Sequence, residues 1–306
     1  MDIPYFEVHC HSEHSLLDGL NTPEELVMQA KEIGISGLSI TDHGTLSSHR
    51  EMLKAGIKHD YPVVLGVEAY FSGTNDRFDR RKKEARKDGE SVYNHIILLA
   101  KNDKGLQNIQ RIQSLAWTES YYNKPIIDFE LLSEYGDDII ISSACVSGVF
   151  AKALQNNDFE KAEEHAMMFK DRFGGDFYAE VQEHNDDISA GLNDKIFSLA
   201  DKLGIKPIIT SDTHFAREED RWIEDAILIL NTGVKKDAGA SLTKANAMDF
   251  MDRYNYLYPG RTMTFEHIDV YLQNGRTLHD KMLARGVERT DIYTNTMEIL
   301  GKIDIG

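Results

Sequence analysis

The chain has 306 residues, 41% of them hydrophobic, enough for a sizeable core in one large α/β domain or one domain with an appendage. A formal net charge of -17 disfavours free-standing, non-specific binding to nucleic acid, so a DNA substrate needs a local basic patch or a partner. No apolar run approaches the roughly 20 residues that span a bilayer, the start MDIPYFEVHCH has no basic stretch followed by an apolar one, and two cysteines, Cys10 and Cys145, argue against a disulfide framework. A soluble cytoplasmic protein is expected, each cysteine a core residue or a ligand.

The apolar run Tyr5 to Val8 leads directly into HCHSEHSLLDG at residues 9 to 19. Side chains two apart on a strand share a face, so His9 and His11 point one way and Cys10 the other. Alone, this pair reads equally as the start of a metal site or as a turn cap and a core histidine. Thr22-Pro23-Glu24-Glu25 supplies an N-cap, a proline at the first helical position and a capping-box glutamate for a helix ending at Gly34. Residues 37 to 41 read as a buried strand leading into Asp42-His43-Gly44, 46 to 58 as a helix, and 62 to 67 as a strand delivering Glu68. Strand and helix alternating through short loops is the pattern of a parallel α/β fold.

Residues 72 to 93 break that rhythm. Between Asp76 and Glu90 lie seven Arg or Lys and five Asp or Glu. This is a solvated charged face, or an arm that contacts phosphate through Arg77, Arg80, Arg81, Lys82, Lys83, Arg86 and Lys87. His95 then precedes the apolar run 96 to 100. If His95 joins the same site, its strand begins at the site and runs antiparallel to the strand before it.

Asp103 is expected to cap a helix reaching Trp117, and another covers 128 to 135. A strand at 139 to 142 places Cys145 past its end, and two helices follow near 147 to 155 and 158 to 173. A strand at 177 to 182 carries Glu180, Gln182 and then His184; a helix over 187 to 203 closes at Gly204. The last clear strand, 206 to 210, ends in Ser211-Asp212-Thr213-His214. Beyond a helix at 218 to 230, residues 232 to 262 read as irregular, with helices near 264 to 273, 277 to 284 and 290 to 302.

Seven candidate strands each carry a His, Cys, Asp or Glu at or beside one end, and in a β/α barrel such ends form one rim. His9, His11, Asp18, His43, Glu68, His95, Cys145, Asp212 and His214 mix imidazole, carboxylate and one thiolate, a set that suits Zn, Mn or Fe better than Mg or Ca. Nine donors exceed what one ion uses, so two or three metals are expected. Paired metals clamp a phosphoryl group and lower the pKa of a bound water to give a hydroxide nucleophile, which makes phosphoester hydrolysis the most economical reaction.

HCHSEHSLLDG, TDHG at 41 to 44, GVEAY at 66 to 70, HIILLAK at 95 to 101, SACVSG at 143 to 148, EVQEH at 180 to 184 and SDTHF at 211 to 215 resemble the motifs of the polymerase and histidinol phosphatase (PHP) domain. The version they resemble is the one at the N-terminus of the bacterial replicative DNA polymerase III alpha subunit, over roughly residues 5 to 230. More weakly, Asn295 to Ile299 resembles the helix that leads to the palm of those polymerases.

The resemblance implies a distorted seven-stranded, TIM-like (β/α)7 barrel at residues 1 to 232, with an irregular and helical extension at 233 to 306. It also implies a trinuclear metal site whose ligands fall on the nine positions above. Some alpha subunits have lost several of these ligands; here none is missing. Intact domains of this kind are associated with metal-dependent 3′ to 5′ exonuclease proofreading, which implies a DNA 3′ end as substrate and a C-family polymerase or replisome subunit as partner. His14 departs from the small or polar residue usual at its position, and His184, no standard ligand, is expected to contact substrate. Two other readings stand beside this one: a stand-alone phosphatase of the histidinol phosphate type, and a non-catalytic, metal-stabilised scaffold for a polymerase. No triple-aspartate palm motif is present, so this chain is not expected to polymerise DNA itself.

Overall fold

A computed structural model describes residues 3–82 and 91–304. Its strands are β1 (Phe6–Glu7), β2 (Gly37–Ile40), β3 (Val63–Ser72), β4 (Tyr93–Ala100), β5 (Tyr121–Tyr122), β6 (Lys124–Ile127), β7 (Ile139–Ser142), β8 (Phe177–Gln182) and β9 (Lys206–Thr210). Seven of them form a ring in the order β1-β2-β3-β4-β7-β8-β9, with the short hairpin β5-β6 attached to β3. The seven are those expected from the apolar runs, while the hairpin, in the stretch YYNKPII, has no counterpart among the expected elements. Ring neighbours pair in parallel except β4, which is antiparallel to both β3 and β7. Tyr70 pairs with His95, so the β4 strand does start at the site and run away from it. A single bridge between Cys10 and Thr213 nearly closes the ring. There the His11 amide donates to the Thr213 carbonyl (2.8 Å) and the Thr213 amide to the His9 carbonyl (3.0 Å).

Helices α1 (Pro23–Glu32), α2 (His49–His59), α3 (Asp103–Thr118), α4 (Phe129–Tyr135), α5 (Ala151–Gln155), α6 (Phe159–Phe173) and α7 (Asp187–Leu203) connect the strands. The predicted capping box of α1 forms, with Thr22 and Glu25 each holding the other's backbone. α7 ends on Gly204 in the left-handed region (φ 63°), where a Cβ is unfavourable. The cap of α3 is Asn102 rather than Asp103, its side chain accepting from the Gly105 amide.

The strands alternate between two apolar clusters, as a pleat requires. Ile96, Leu98, Ile139, Ile141 and Ile209 pack with helix residues such as Leu26, Ile109, Phe169 and Ile196, which places this cluster between the sheet and its helices. Ile97, Leu99, Ile140, Tyr178 and Ile208 form the second cluster, inside the ring. There α12 (Asp291–Gly301) contributes Ile299. The helix seals the end where the parallel strands begin: Thr296 Oγ1 accepts from the Phe6 amide, Asn295 donates to the Pro207 carbonyl, and Glu298 meets Tyr178 and Lys206.

Past β9 come α8 (Arg221–Thr232), α9 (Leu242–Ala245), α10 (Phe250–Leu257) and α11 (Gly275–Ala284). Two short helices thus stand in the stretch expected to be irregular, and the helix expected over 264 to 273 is absent. Those residues form an extended strap instead. Their backbone bonds to other segments: Asp269 N to the His184 carbonyl (2.9 Å), His214 N to the Val270 carbonyl (2.8 Å), and Leu272 N to the Phe215 carbonyl (3.1 Å). Tertiary pairing supplies partners that a helix would have supplied locally, and the helix-like spacing of apolar residues in 264 to 273 is overridden.

Candidate metal centre

The open end of the ring collects the polar residues at strand ends. His9 and His11 follow β1, His43 follows β2, Glu68 lies within β3, His95 near the start of β4, Cys145 past β7, and Asp212 and His214 past β9. Asp18 arrives on the turn after His11, its carboxylate accepting from Ser15 Oγ (2.7 Å). Asp42 fastens that turn by accepting from the Ser12 amide (2.7 Å) and hydroxyl. A Cβ on Gly19 would stand 2.2 Å from the Ser12 carbonyl oxygen, so the turn closes only with glycine there. Asp212 itself has a left-handed backbone (φ 46°), as does Ala144 (φ 60°) before Cys145. Backbone strain of this kind is typical of residues held in place by a functional site.

All nine predicted donors meet in one connected cluster. His9 Nε2 lies 3.2 Å from His11 Nε2, from Glu68 Oε2 and from Asp212 Oδ1, while His11 Nε2 is 3.3 Å from that Glu68 oxygen and 3.4 Å from that Asp212 oxygen. Glu68 extends the cluster to His43 Nδ1 and His95 Nδ1, both at 2.9 Å, and to Cys145 Sγ at 3.9 Å. Asp18 faces His11, His43 and His214 at 3.7, 3.6 and 3.5 Å.

Within the cluster the imidazoles and carboxylates shift one another. The His9 and His11 rings pay for burial, yet the Asp212, Glu68 and Asp18 carboxylates outweigh it, raising both, His11 to about 10. His214 rises to about 9 in the same way, against burial and through Asp18 and Asp212. Burial wins only at His43, which is lowered. Glu68 and Asp212 resist burial through their histidine neighbours and fall well below the usual carboxylate range, and Asp18 falls to about 2. Burial and the Glu68 charge push the Cys145 thiol upward, as expected of a thiol that ionises only with a cation beside it.

The residues fit divalent metals. Four N or O donors around a tetrahedral ion at 2.0–2.1 Å stand about 3.3–3.4 Å apart, close to the separations among His9, His11, Glu68 and Asp212 above. His43 Nδ1 and Glu68 Oε2 are buried 2.9 Å apart, but neither forms a hydrogen bond of good geometry, and His11 Nδ1 is likewise without one. Among the described residues a more exposed group, Glu13, His14 and Glu51, has donor atoms close enough to share an ion, and so do three groups within the cluster: His9, His11 and Asp212; His11, His43 and Glu68; and Glu68, His95 and Cys145. They overlap at His11 and Glu68.

Two further histidines stand outside the donor set. His14 turns outward to Glu51 (3.3 Å). His184 lines the same cavity as the cluster, its ring nitrogens 3.0 Å from the Asp269 carbonyl and from Gln182 Oε1, so it ties the strap to β8. In the basic segment, Arg77 pairs with Asp128 and Glu130, Arg81 with Asp79, and Arg80 lies over the Tyr122 ring. Lys83, Arg86 and Lys87 lie outside the described residues.

Sequence reasoning missed the support beneath the cluster. Glu180, buried in β8, accepts from His9 Nδ1 (2.7 Å), Thr210 (2.6 Å), Gln182 (2.9 Å) and Ser142 (2.6 Å). It thereby fixes which His9 nitrogen faces the donors. Glu7 accepts from Tyr5, from the His9 amide and from the Ser211 amide, and burial raises it to about 7. A carboxylate in the middle of an apolar run was the available signal.

Fold and donors together define a β/α barrel with a histidine- and carboxylate-rich centre at its open end. The PHP domain family matches residues 7–184, and the chain belongs to that family. DNA polymerase III subunit alpha of Aquifex aeolicus is 38% identical over 231 residues, 75% of this chain and 20% of that protein. The same subunit of Borreliella burgdorferi is 34% identical over 236 residues, 76% of this chain and 20% of that protein. The chain thus spans about one fifth of the length of these relatives. A solved amidohydrolase structure from Chromobacterium violaceum has a TM-score of 0.41 at 17% identity, covering 71% of this chain and 89% of that one; so distant a likeness leaves the chemistry to the residues themselves.

Proposed function

We propose that this chain is a metal-dependent phosphoesterase that removes nucleotides from the 3′ end of DNA, in the cytoplasm and beside a C-family polymerase. The observation that carries the reading is the convergence of the nine candidate donors: seven of them line one cavity, and His9 and His11, fully buried, meet Glu68 and Asp212. Membership of the PHP family and relatives named DNA polymerase III subunit alpha support the choice of DNA. Among the described residues, no helix is long and apolar enough to cross a membrane.

His9, His11, Asp18, His43, Glu68, His95, Cys145, Asp212 and His214 would hold two or three ions of Zn, Mn or Fe. Bound there, the ions supply positive charge for a phosphoryl group and bring the pKa of a water near neutrality. The chain's own residues hold that charge in place: Glu68 and His11 sit where the donor groups overlap, and Glu180 presents His9 in one tautomer. Among the described residues lining the cavity none is Lys or Arg. Cations bound at the cluster would therefore supply the positive charge that no Lys or Arg brings there.

Nucleotide release from single-stranded and mismatched primers, with Mn or Zn and an Asp212→Ala control, tests the reading; equal behaviour of the two proteins would refute it. The cavity of about 330 Å³ also suits a small phosphate ester. Faster turnover of a chromogenic phosphomonoester than of oligonucleotides would favour that second reading.

A further inference from the structure

The cavity before the cluster has two unlike walls. Lining the cavity along with the donors are Ile188 from α7, Leu228 from α8, and Met263, Phe265, Ile268 and Val270 from the strap region, of which Leu228, Phe265 and Val270 are buried. Ile188 keeps 68% of its surface exposed and Met263 47%. Large apolar side chains open beside a polar centre mark a surface that a ligand covers. Phe265 joins the two walls, its ring centroid 5.2 Å from that of His214.

This wall is fixed before any ligand arrives. Arg221 donates to the Phe265 and Ile268 carbonyls (2.8 and 2.6 Å) and to Asp269 Oδ1 (2.7 Å). Asp225, fully buried, accepts from the Phe265 amide (2.7 Å) and the Thr264 hydroxyl and pairs with Arg261. A wall held by a buried carboxylate and a partly buried guanidinium on one helix loses little entropy when a ligand meets it.

The ligand's chemistry follows from what lines the rest. Asp18, Glu68, Asp186 and Asp212 face the cavity, and among the described residues no Lys or Arg does. An anionic group is matched only against cations at the cluster, so whatever touches the apolar wall is uncharged. Asn231, Ser189 and Ser147 bring hydrogen-bonding groups to the same cavity. A flat apolar face with polar edges is met by these surfaces together; an aliphatic group would leave the edges unpaired, and a second phosphate would meet carboxylates.

We propose that the wall of Ile188, Met263 and Phe265 is a subsite for one unpaired nucleobase, whose phosphate lies against the donor cluster. The proposal rests on the phosphoesterase reading and adds to it the part of the substrate recognised. A base still paired in a duplex brings its partner strand and does not fit a cavity of about 330 Å³. The terminal residue must therefore be unpaired on entry.

The test is equilibrium binding to the Mn-loaded chain of deoxyadenosine 5′-monophosphate and of 2-deoxyribose 5-phosphate, which lacks the base. Wild type is compared with Met263→Ala, Ile188→Ala and the double variant. Both side chains are substantially exposed, and melting temperatures verify that the variants fold. In wild type the nucleotide binds on the order of tenfold more tightly than the sugar phosphate, the range expected of stacking on one base, and the ratio falls in the double variant, which keeps only Phe265 of the three. A wild-type ratio near one, or a ratio the variants leave unchanged, overturns the subsite. The readout needs no turnover: base-dependent binding without hydrolysis of any ester would sustain the subsite and refute the phosphoesterase.

Discussion

Replacing Glu180 by glutamine tests whether the buried support of His9 controls the centre. The substitution preserves shape but removes a charge that accepts four side-chain hydrogen bonds, from His9, Thr210, Gln182 and Ser142. Three of these converge on Oε1, so the amide oxygen retains them and the new NH2 takes the place facing Ser142, whose hydroxyl turns to accept. Folding survives on this count; Glu180→Ala, which strands four buried partners, is the harsher change. What the glutamine loses is the charge behind the 2.7 Å bond to His9 Nδ1, and with it the basicity of the Nε2 lone pair aimed at the donors. Loss of such outer carboxylates weakens metal binding about 10–100-fold, equivalent to about 1.4–2.7 kcal/mol. Competition with a chromogenic chelator measures the affinity, and 15N spectra of the histidine rings report the His9 tautomer. A Glu180→Gln affinity within twofold of wild type, with the tautomer unchanged, would refute the reasoning.

Two further outcomes are expected. In chelator-stripped protein, His11 at about 10 and His214 at about 9 lie above the ordinary histidine value. Their contribution to stability is complete below about pH 6.5 and is lost as pH rises through 9 to 10. Melting temperatures of the stripped protein should therefore fall between pH 8 and 10.5, while Zn-loaded protein, whose histidines carry metal in place of protons, stays level; parallel curves would contradict this. Glu224 in α8 is fully buried with neither carboxylate oxygen hydrogen-bonded, and burial raises it to about 8. A carboxyl whose folded value is raised loses stability as pH rises from its unfolded value, near 4.5, to about 8. Glu224→Leu should remove that slope and stabilise the protein by on the order of 3 kcal/mol at pH 9, measured by urea unfolding; an unchanged or lower midpoint would count against it.

The ring strands, and the convergence of the nine candidate donors at one end of the ring, were legible because each obeys a local rule. A run such as IIIS or KPIIT is apolar on both faces, as a strand between helices and barrel interior must be, and the donors are punctuated by those runs. His95 was placed correctly because its position before its strand forces β4 to run antiparallel. The strap was not legible: its apolar residues at 265, 268, 270 and 272 resemble a helical stripe, and only the carbonyls and amides of His184, His214 and Phe215, distant in sequence, draw it out straight. Glu180, though noted on its strand, was given no role and Glu7 was overlooked for a related reason, since a carboxylate inside a strand reads as exposed until its partners from other strands are known. Asp42 hides a similar fact, serving as the hook for Ser12.

The seam of the ring has a bearing on how the chain is made. Residues 9 to 11 meet their edge partner only at residue 213, so a ribosome must deliver some two hundred further residues before the first segment is covered on that side. At synthesis rates of about 5–20 residues per second, that interval lasts on the order of 10 to 40 seconds. Through it β1 pairs on one side with β2 and offers an open edge on the other, the kind of edge that invites pairing with other chains. His9, His11 and the carboxylate of Glu7 crowd that edge, and charge there discourages such pairing until Ser211 and Thr213 emerge. The seam register is the one that brings His9 and His11 beside Asp212 and His214, so the centre is complete only where the ring closes.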